Sequence, residues 1–300
     1  KHIAYSKGNN LYLYNIASKT TTAITDDGCW NKIINGTSDW VYEEEYGFTR
    51  AYAFSADGSK IAYLRFDESA VPTFEMMRFD NTLYNHAYSF KYPKAGDKNS
   101  VVELYLYDIQ RNSRTKIDVG SNTDQYIFNV AFTPANKLYF YRVNRLQNCF
   151  EVVMCNDNGE QKVIYTETSP RYVERPNSST ITFIDGERFI VKEETTTGWM
   201  HLYLHSVAKG RLNAITSGRW EVVSLDGYDG KNIYYTSTER SALDRDLYSV
   251  RLNGKSRRLL TPEGGYNIIL PSTGMKYYVR TFSNCQTPNI ITVHSSDGTT

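Results

Sequence analysis

A pattern of short strands and tight turns recurs about six times along the chain, at a period of roughly 40 to 60 residues. The first copy has strand-like segments at 1–5, 11–15 and 20–24, separated by turn residues. Later copies are centred on residues 60–64, 138–142, 188–191, 232–235 and 276–279. A small antiparallel sheet cannot bury both of its faces alone. The repeat therefore predicts an all-β fold, a β-propeller of antiparallel four-stranded blades forming a single domain over residues 1–300.

The composition supports this fold class and excludes several kinds of partner. Aromatic residues make up 14% of the chain, with 25 tyrosines, which suits half-buried strand surfaces. Lys and Arg number 34 against 33 Asp and Glu, and there is no basic block. This balance argues against nucleic acid or an anionic membrane as a principal partner. No apolar run approaches the roughly 20 residues that a membrane-spanning helix needs.

The cysteines and histidines do not form a recognisable metal site. The four cysteines include no Cys-x-x-Cys pair, and free, buried thiols are the predicted state. His201 and His205 are four residues apart, but the residues between them alternate as in a strand, and no His-Glu-x-x-His motif is present. We therefore predict no metal and no cofactor. The cysteines are Cys29, Cys149, Cys155 and Cys285.

Three consecutive glutamates, Glu43, Glu44 and Glu45, follow two large aromatic residues in the segment DWVYEEE at 39–45. Adjacent ionised carboxylates raise one another's pKa unless a cation or water compensates. A solvated acidic surface is the simpler interpretation. The alternative requires a short helical turn, in which neighbouring side chains are about 100° apart and two can reach one point, as they could not on a strand. Two carboxylates placed in this way would suit a primary ammonium group.

Several segments, in order, resemble the dipeptidyl peptidase IV family of serine exopeptidases. They are DWVYEEE at 39–45, FSADGSKIAY at 54–63, FDESAVP at 66–72, YPKAG at 92–96 and NRLQN at 144–148. The resemblance extends over residues 1–300 and implies the N-terminal β-propeller of that family. Family propellers have eight blades, so about six blades would make an incomplete ring. We expect its exposed first and last faces to favour self-association or a marginal monomer.

The resemblance implies a role for particular side chains. Glu44 and Glu45 would hold the free α-ammonium group of a peptide substrate, with Trp40 and Tyr42 bracing the turn. The loop at 171–176 lies near the place where family members contribute an aromatic residue and an arginine to the substrate wall. Tyr172 and Arg175 are the candidates there.

The chemical step would belong to another part of the protein. Serine peptidases of this family need a Gly-x-Ser-x-Gly elbow, and the chain contains none. The segments at 55–58 and 295–298 contain Asp-Gly and are predicted to be hairpin turns. By resemblance, a further substrate-binding arginine would precede Lys1, and a C-terminal α/β-hydrolase domain with the catalytic triad would follow Thr300. The parent protein would release Xaa-Pro or Xaa-Ala dipeptides, and the chain alone would be inactive.

An insertion at 68–99 is much longer than a hairpin turn. Loops of this length are usually either functional or disordered. The resemblance implies the arm through which family members dimerise. A strand pair exposing Phe74, Met77 and Phe79 would pack on its symmetry mate, so we expect a homodimer.

A second function remains open, that of a stand-alone propeller serving as a protein-interaction scaffold. In that case the glutamates are a solvated rim and the insertion docks a partner. The chain has no signal peptide and opens within a strand-like pattern, which suggests an excised fragment. By resemblance to bacterial members, we expect a periplasmic or secreted protein. The sequons at Asn35 and Asn177 would matter only in a eukaryotic secretory route.

Overall fold

The computed structural model describes residues 1–156 and 160–299, which fall into two compact units, Lys1–Thr166 and Glu167–Thr300. Among these described residues the strands form six successive antiparallel sheets and one separate hairpin. The six sheets correspond to the six sequence repeats, and the all-β, propeller-type fold is confirmed. That residues 1–300 form a single domain stays a prediction.

In its described residues, the first unit contains one helix and fourteen strands. In chain order they are β1 (His2–Lys7), β2 (Asn10–Asn15), β3 (Thr20–Ala23), β4 (Ile33–Asn35), α1 (Trp40–Tyr46), β5 (Tyr52–Phe54), β6 (Lys60–Asp67), β7 (Thr73–Arg78), β8 (His86–Lys91), β9 (Val101–Asp108), β10 (Ser113–Ile117), β11 (Gln125–Phe132), β12 (Leu138–Asn144), β13 (Cys149–Cys155) and β14 (Gln161–Thr168), which runs past the boundary of the unit. The sheets are β1-β2-β3, β10-β9-β6-β4 with β5 also on β6, and β11-β12-β13-β14, while β7 and β8 form the separate hairpin.

The second unit continues the same meander. Its strands are β15 (Ile181–Phe183), β16 (Arg188–Glu193), β17 (His201–Ser206), β18 (Gly210–Ala214), β19 (Val222–Tyr228), β20 (Asn232–Ser237), β21 (Asp246–Arg251), β22 (Arg258–Leu259), β23 (Tyr266–Pro271), β24 (Tyr277–Asn284) and β25 (Thr287–Ser295), with a 3-10 turn at Thr273–Met275. Consecutive strands pair in the sheets β15-β16-β17-β18, β19-β20-β21-β22 and β23-β24-β25.

Strand number varies from the expected four. Three of the six sheets have four strands, the first and last have three, and the second has five. The second sheet is larger because the chain leaves it after β4, forms α1, and returns as β5. Both β4 and β5 then pair with successive parts of β6. The excursion that adds a strand is therefore the one that carries the three glutamates.

The core lies between sheets within each unit. The inner strands are buried on both faces, as in β6, where Ile61, Ala62, Tyr63 and Leu64 are all buried, whereas β3 is exposed throughout. Packing of one sheet on the next explains this pattern, since both faces of a middle strand are then covered. In the first unit one such cluster joins Leu11 and Leu13 with Ile24, Ile61, Tyr63 and Tyr107.

The first and last sheets carry exposed apolar side chains. Ile3 and Tyr5 are exposed on β1, and Ile268, Leu270, Ile291 and Val293 are exposed on β23 and β25. Such side chains would favour association, and self-association of the isolated chain stays a prediction.

The remaining sequence predictions concern small features. All four cysteines are free, as predicted, but only Cys155 is buried, because Cys29 and Cys285 are exposed and Cys149 is half-buried. His201 and His205 lie on β17 and are both buried. In the described part of the chain, no group of three or more His, Cys, Asp or Glu could hold a metal ion. No helix there is long and apolar enough to cross a bilayer.

Candidate functional site

Helix α1 is defined by a cap at each end. Asp39 is the N-cap, with an extended backbone, and its Oδ1 accepts a hydrogen bond from the Tyr42 backbone N–H at 3.0 Å. Gly47 ends the helix in the left-handed conformation at φ 69°, and its N–H donates to the Glu43 carbonyl. A side chain here would be strained, so glycine suits the position. The short helical turn that an ammonium site formed by two neighbouring glutamates would require is therefore present.

Tyr42 fixes this helix to the third sheet. Its side chain is fully buried, and its hydroxyl accepts a hydrogen bond from the Ile127 N–H on β11 at 3.0 Å. The ring lies 5.1 Å from the Phe66 ring and 6.0 Å from the Tyr126 ring, both edge-on. Burial, and then the charge of Asp39, raises the pKa of Tyr42 well above its ordinary value. The hydroxyl therefore stays neutral and the contact persists at any physiological pH.

Trp40 fixes the other side of the helix to the base of the β7–β8 hairpin. Its ring centroid lies 4.2 Å from that of Tyr92, which directly follows β8. Tyr92 in turn contacts Phe74 and Phe90 of the hairpin. The two aromatic residues expected to brace the turn therefore both do so, one inward and one toward the insertion.

The three glutamates are all solvent-exposed. Consecutive helical positions are about 100° apart, so Glu43, Glu44 and Glu45 point in three directions, and Glu45 lies on the same side as Val41, four residues earlier. Glu45 borders a cavity next to the helix, and Glu44 lies at the adjacent helical position. The structure thus places both predicted anchoring residues on the second turn of one short helix. Their binding of an ammonium group stays a prediction.

Two buried carboxyl groups lie beneath the start of this helix. Asp39 and Glu68 are each only 6% exposed. Asp39 Oδ2 accepts a hydrogen bond from the Ser100 hydroxyl, and burial raises the Asp39 pKa. Burial, and then the charge of Asp39, raises the pKa of Glu68 to about 7, against a smaller opposing effect of Lys91. Glu68 cannot be identified from the sequence, because only the fold reveals that this polar position is buried.

The insertion at 68–99 forms a regular hairpin rather than an irregular excursion. Phe74 pairs with Phe90, and Met76 with Tyr88, on one face of the β7–β8 ladder. Met77 and the turn residues Phe79, Leu83 and Tyr84 are exposed, Phe79 by 79%. An exposed apolar tip of this kind is typical of an interaction surface.

The cavity beside α1 has a volume of about 910 Å³. Trp40, Val41 and Glu45 form the helical wall, and residues of the hairpin and of the segment that follows it form the opposite wall. Arg145, in the turn after β12, lies at its edge. Arg145 is held by the Asp97 carbonyl at 2.9 Å and by the Asp124 carboxylate at 3.3 Å.

The other two predicted residues lie in the loop between β14 and β15. Tyr172 is 67% exposed, and Arg175 borders a cavity of about 130 Å³ lined by Glu174 and Glu194 among others. Burial, and then the charges of Glu174 and Glu221, raises the pKa of Glu194. This loop belongs to the second compact unit and α1 to the first, and a substrate site shared by the two stays a prediction.

Comparisons with known proteins identify the family of this chain. Residues 1–289 match the family model described as the dipeptidyl peptidase IV (DPP IV) N-terminal region. A probable dipeptidyl peptidase 4 from Arthroderma benhamiae is 33% identical over 96% of this chain and 38% of its own length.

Two solved structures share the fold. The crystal structure of Porphyromonas gingivalis dipeptidyl peptidase 4 superposes with a TM-score of 0.92 and 35% identity, covering 99% of this chain and 42% of that one. A putative dipeptidyl aminopeptidase IV from Bacteroides ovatus has a TM-score of 0.84 at 24% identity, covering 100% of this chain and 44% of that one, and shows the fold alone. The chain spans about two fifths of the length of these relatives. The chain belongs to the dipeptidyl peptidase IV N-terminal region family.

Proposed function

We propose that this chain is the substrate-gating and amine-anchoring propeller region of a serine-type dipeptidyl peptidase, a hydrolase that releases Xaa-Pro and Xaa-Ala dipeptides from peptide N-termini. The observation that carries the proposal is the pair Glu44 and Glu45, exposed at adjacent positions on a helix whose ends and inner face are fixed. Family membership and the printed names of the relatives support the reaction class.

In the proposed mechanism, the two carboxylates fix the substrate's N-terminus and so determine how many residues lie between it and the cleaved bond. An α-ammonium group between Glu44 and Glu45 would form charge-assisted hydrogen bonds, and it would be neutralised by the two negative charges. Fixing the N-terminus at a constant distance from the reacting serine selects the bond after the second residue. Peptides with a blocked N-terminus would lack the cation and would bind weakly.

The rest of the proposal concerns parts that act with the anchor. The nucleophile, its base and the oxyanion site would come from a C-terminal α/β-hydrolase domain of the same protein, so this chain alone would be inactive. Tyr172 and Arg175 would add to the substrate wall. The β7–β8 hairpin would form a homodimer contact through Met77 and Phe79. We also propose a periplasmic or secreted location, in keeping with the family resemblance.

The anchor is tested by single substitutions in the full-length protein. Glu44→Ala and Glu45→Ala are expected to abolish dipeptide release, with kcat/KM on an Xaa-Pro amide falling by at least about 30-fold, because an unpaired partner in such a contact costs on the order of 2–5 kcal/mol. Glu43→Ala removes a carboxylate of the same triplet and is the matched control. Circular dichroism and thermal unfolding check that the fold is retained.

Wild-type rates in both Glu44→Ala and Glu45→Ala would refute the anchoring role. An equal loss in Glu43→Ala would instead indicate a general effect of acidic charge. An N-acetylated substrate provides a second measurement, since the two variants and the wild-type protein should all cleave it equally slowly.

A further inference from the structure

Asp39 uses both oxygens of its carboxylate, and only one of them caps helix α1. Its Oδ1 accepts the capping hydrogen bond from the Tyr42 backbone N–H, and its Oδ2 accepts a hydrogen bond from the hydroxyl of Ser100. Ser100 lies 61 positions further along the chain, directly before β9, and both residues are buried. The segment that returns from the hairpin therefore holds the residue at which the helix begins.

The hydrogen bond from Ser100 is the main interaction outside the helix that stabilises this carboxylate. Burial raises the pKa of Asp39, and Ser100 has the largest effect in the opposite direction, ahead of the backbone N–H groups of the helix. In the described part of the chain, no lysine or arginine is among the groups that stabilise its charge, and the nearby Glu68 is a second acid. Without the Ser100 hydroxyl, Oδ2 would be buried with no donor, and the side chain would be free to rotate.

Helix α1 depends on contacts of this kind for its position. It is only seven residues long, and a helix of two turns is not stable by itself in water. The ring contact of Trp40 and the hydroxyl contact of Tyr42 hold two sides of the helix. Two contacts still allow a rotation about the line that joins them, and the cap supplies a third. The link from Ser100 therefore helps to set the direction in which the exposed glutamates point.

We propose that Ser100 is a positioning residue for dipeptide release, which holds α1 in the orientation where Glu44 and Glu45 both reach the α-ammonium group of the substrate. This inference rests on the proposed function, because Ser100 is given an effect only through those two carboxylates. Ser100 is buried and would not touch the substrate itself. The effect is expected to be measurable, since a displacement of about 1 Å in a positioning group can cost about 100-fold in rate.

The test compares kcat/KM of the full-length protein on an Ala-Pro chromogenic amide and on its N-acetylated form, which has no ammonium group. Ser100→Ala is expected to lower the free/acetylated ratio by about tenfold, because a hydrogen bond to a buried charge is lost. Asp39→Ser keeps a capping oxygen but removes the one that Ser100 binds, so the ratio should fall in the same way. A merely structural role would lower both rates equally and leave the ratio unchanged.

Ser55→Ala is the matched control. Ser55 is also buried, and its hydroxyl donates to an aspartate, Asp57, but in the turn between β5 and β6. Its ratio should equal that of the wild-type protein. Circular dichroism checks the fold of each variant, and Asp39→Ser decides the matter if Ser100→Ala does not fold.

A wild-type ratio in both Ser100→Ala and Asp39→Ser would overturn the inference. A fall in Ser100→Ala that Asp39→Ser does not share would also overturn it, because the effect would then not pass through Asp39, and so would an equal fall in Ser55→Ala. Failure of the proposed function is a separate result, in which Glu44→Ala and Glu45→Ala themselves leave the ratio at its wild-type value.

Discussion

Glu68→Gln is expected to change how the stability of the protein depends on pH. Glu68 is 6% exposed, at the point where the chain leaves β6 for the hairpin. Its pKa is raised to about 7 from an ordinary value of 4.5, first by burial, then by the charge of Asp39 and less by that of Asp67, while Lys91 acts in the opposite direction. Glutamine keeps the size and polarity of the protonated side chain and cannot ionise.

The sign and size follow from proton binding. Below about pH 4.5 Glu68 is protonated in both the folded and the unfolded chain. Between pH 4.5 and about 7 the folded chain keeps a proton that the unfolded chain has lost, so stability falls as the pH rises, and the loss is complete above about pH 7. Moving a pKa from 4.5 to about 7 corresponds to a free energy of about 3 kcal/mol. Glu68→Gln should therefore gain up to about 3 kcal/mol over the wild-type protein on going from pH 4 to pH 8.

Urea unfolding at pH 4, 6 and 8 measures this difference. Other acids with raised pKa values contribute to the pH dependence of the wild-type protein, among them the half-buried Asp226, whose pKa desolvation raises to about 6. The informative quantity is therefore the wild-type minus Glu68→Gln difference at each pH. Glu43→Gln, at an exposed position of α1, is the control and should follow the wild-type curve. Parallel curves for the wild-type protein and Glu68→Gln would refute the reasoning.

Two further predictions concern α1 and the hairpin. Tyr42→Phe removes only the hydroxyl that accepts a hydrogen bond from the buried Ile127 N–H. It should lower the free energy of unfolding, measured by urea titration, by about 1–3 kcal/mol. A loss below about 0.3 kcal/mol would contradict the role of this hydrogen bond. Met77→Lys combined with Phe79→Lys should convert the proposed homodimer of the full-length protein to monomers, as measured by light scattering. Leu243→Lys, at a still more exposed apolar residue of the second unit, should not change the oligomeric state. A double variant that stays dimeric would refute the hairpin contact.

The repeat pattern was sufficient to predict the sheets but not their edges. Inner strands such as β6 and β12 are short apolar runs flanked by turn residues, and they lie where the sequence indicates. The fifth strand of the second sheet could not be predicted. β4 and β5 are each only three residues long, and they are recognisable as strands only because they pair with β6. Strand pairing is a tertiary property, and short strands carry little pattern of their own.

The candidate site was predictable to a similar degree. For the segment 39–45 the sequence left open a solvated acidic surface and a short helical turn, and the structure forms the turn, with Asp39 as its N-cap. The buried pair Asp39 and Glu68, and the cavity beside Glu45, depend on residues 29 or more positions apart in the chain, and no local pattern reports such contacts. Tyr172 and Arg175 are both exposed on their loop, and their part in a substrate wall stays a prediction.

Asp39 has two effects on this site: it caps helix α1, and its charge raises the pKa of Glu68. As the N-cap it accepts from Tyr42 and orients the helix that presents Glu44 and Glu45. As a buried charge it also raises the pKa of Glu68. A protein that needed only a stable helix could use serine or threonine as the cap without that electrostatic effect. The residue that caps α1 therefore also helps to set the protonation of Glu68, at the start of the segment that leads to the hairpin.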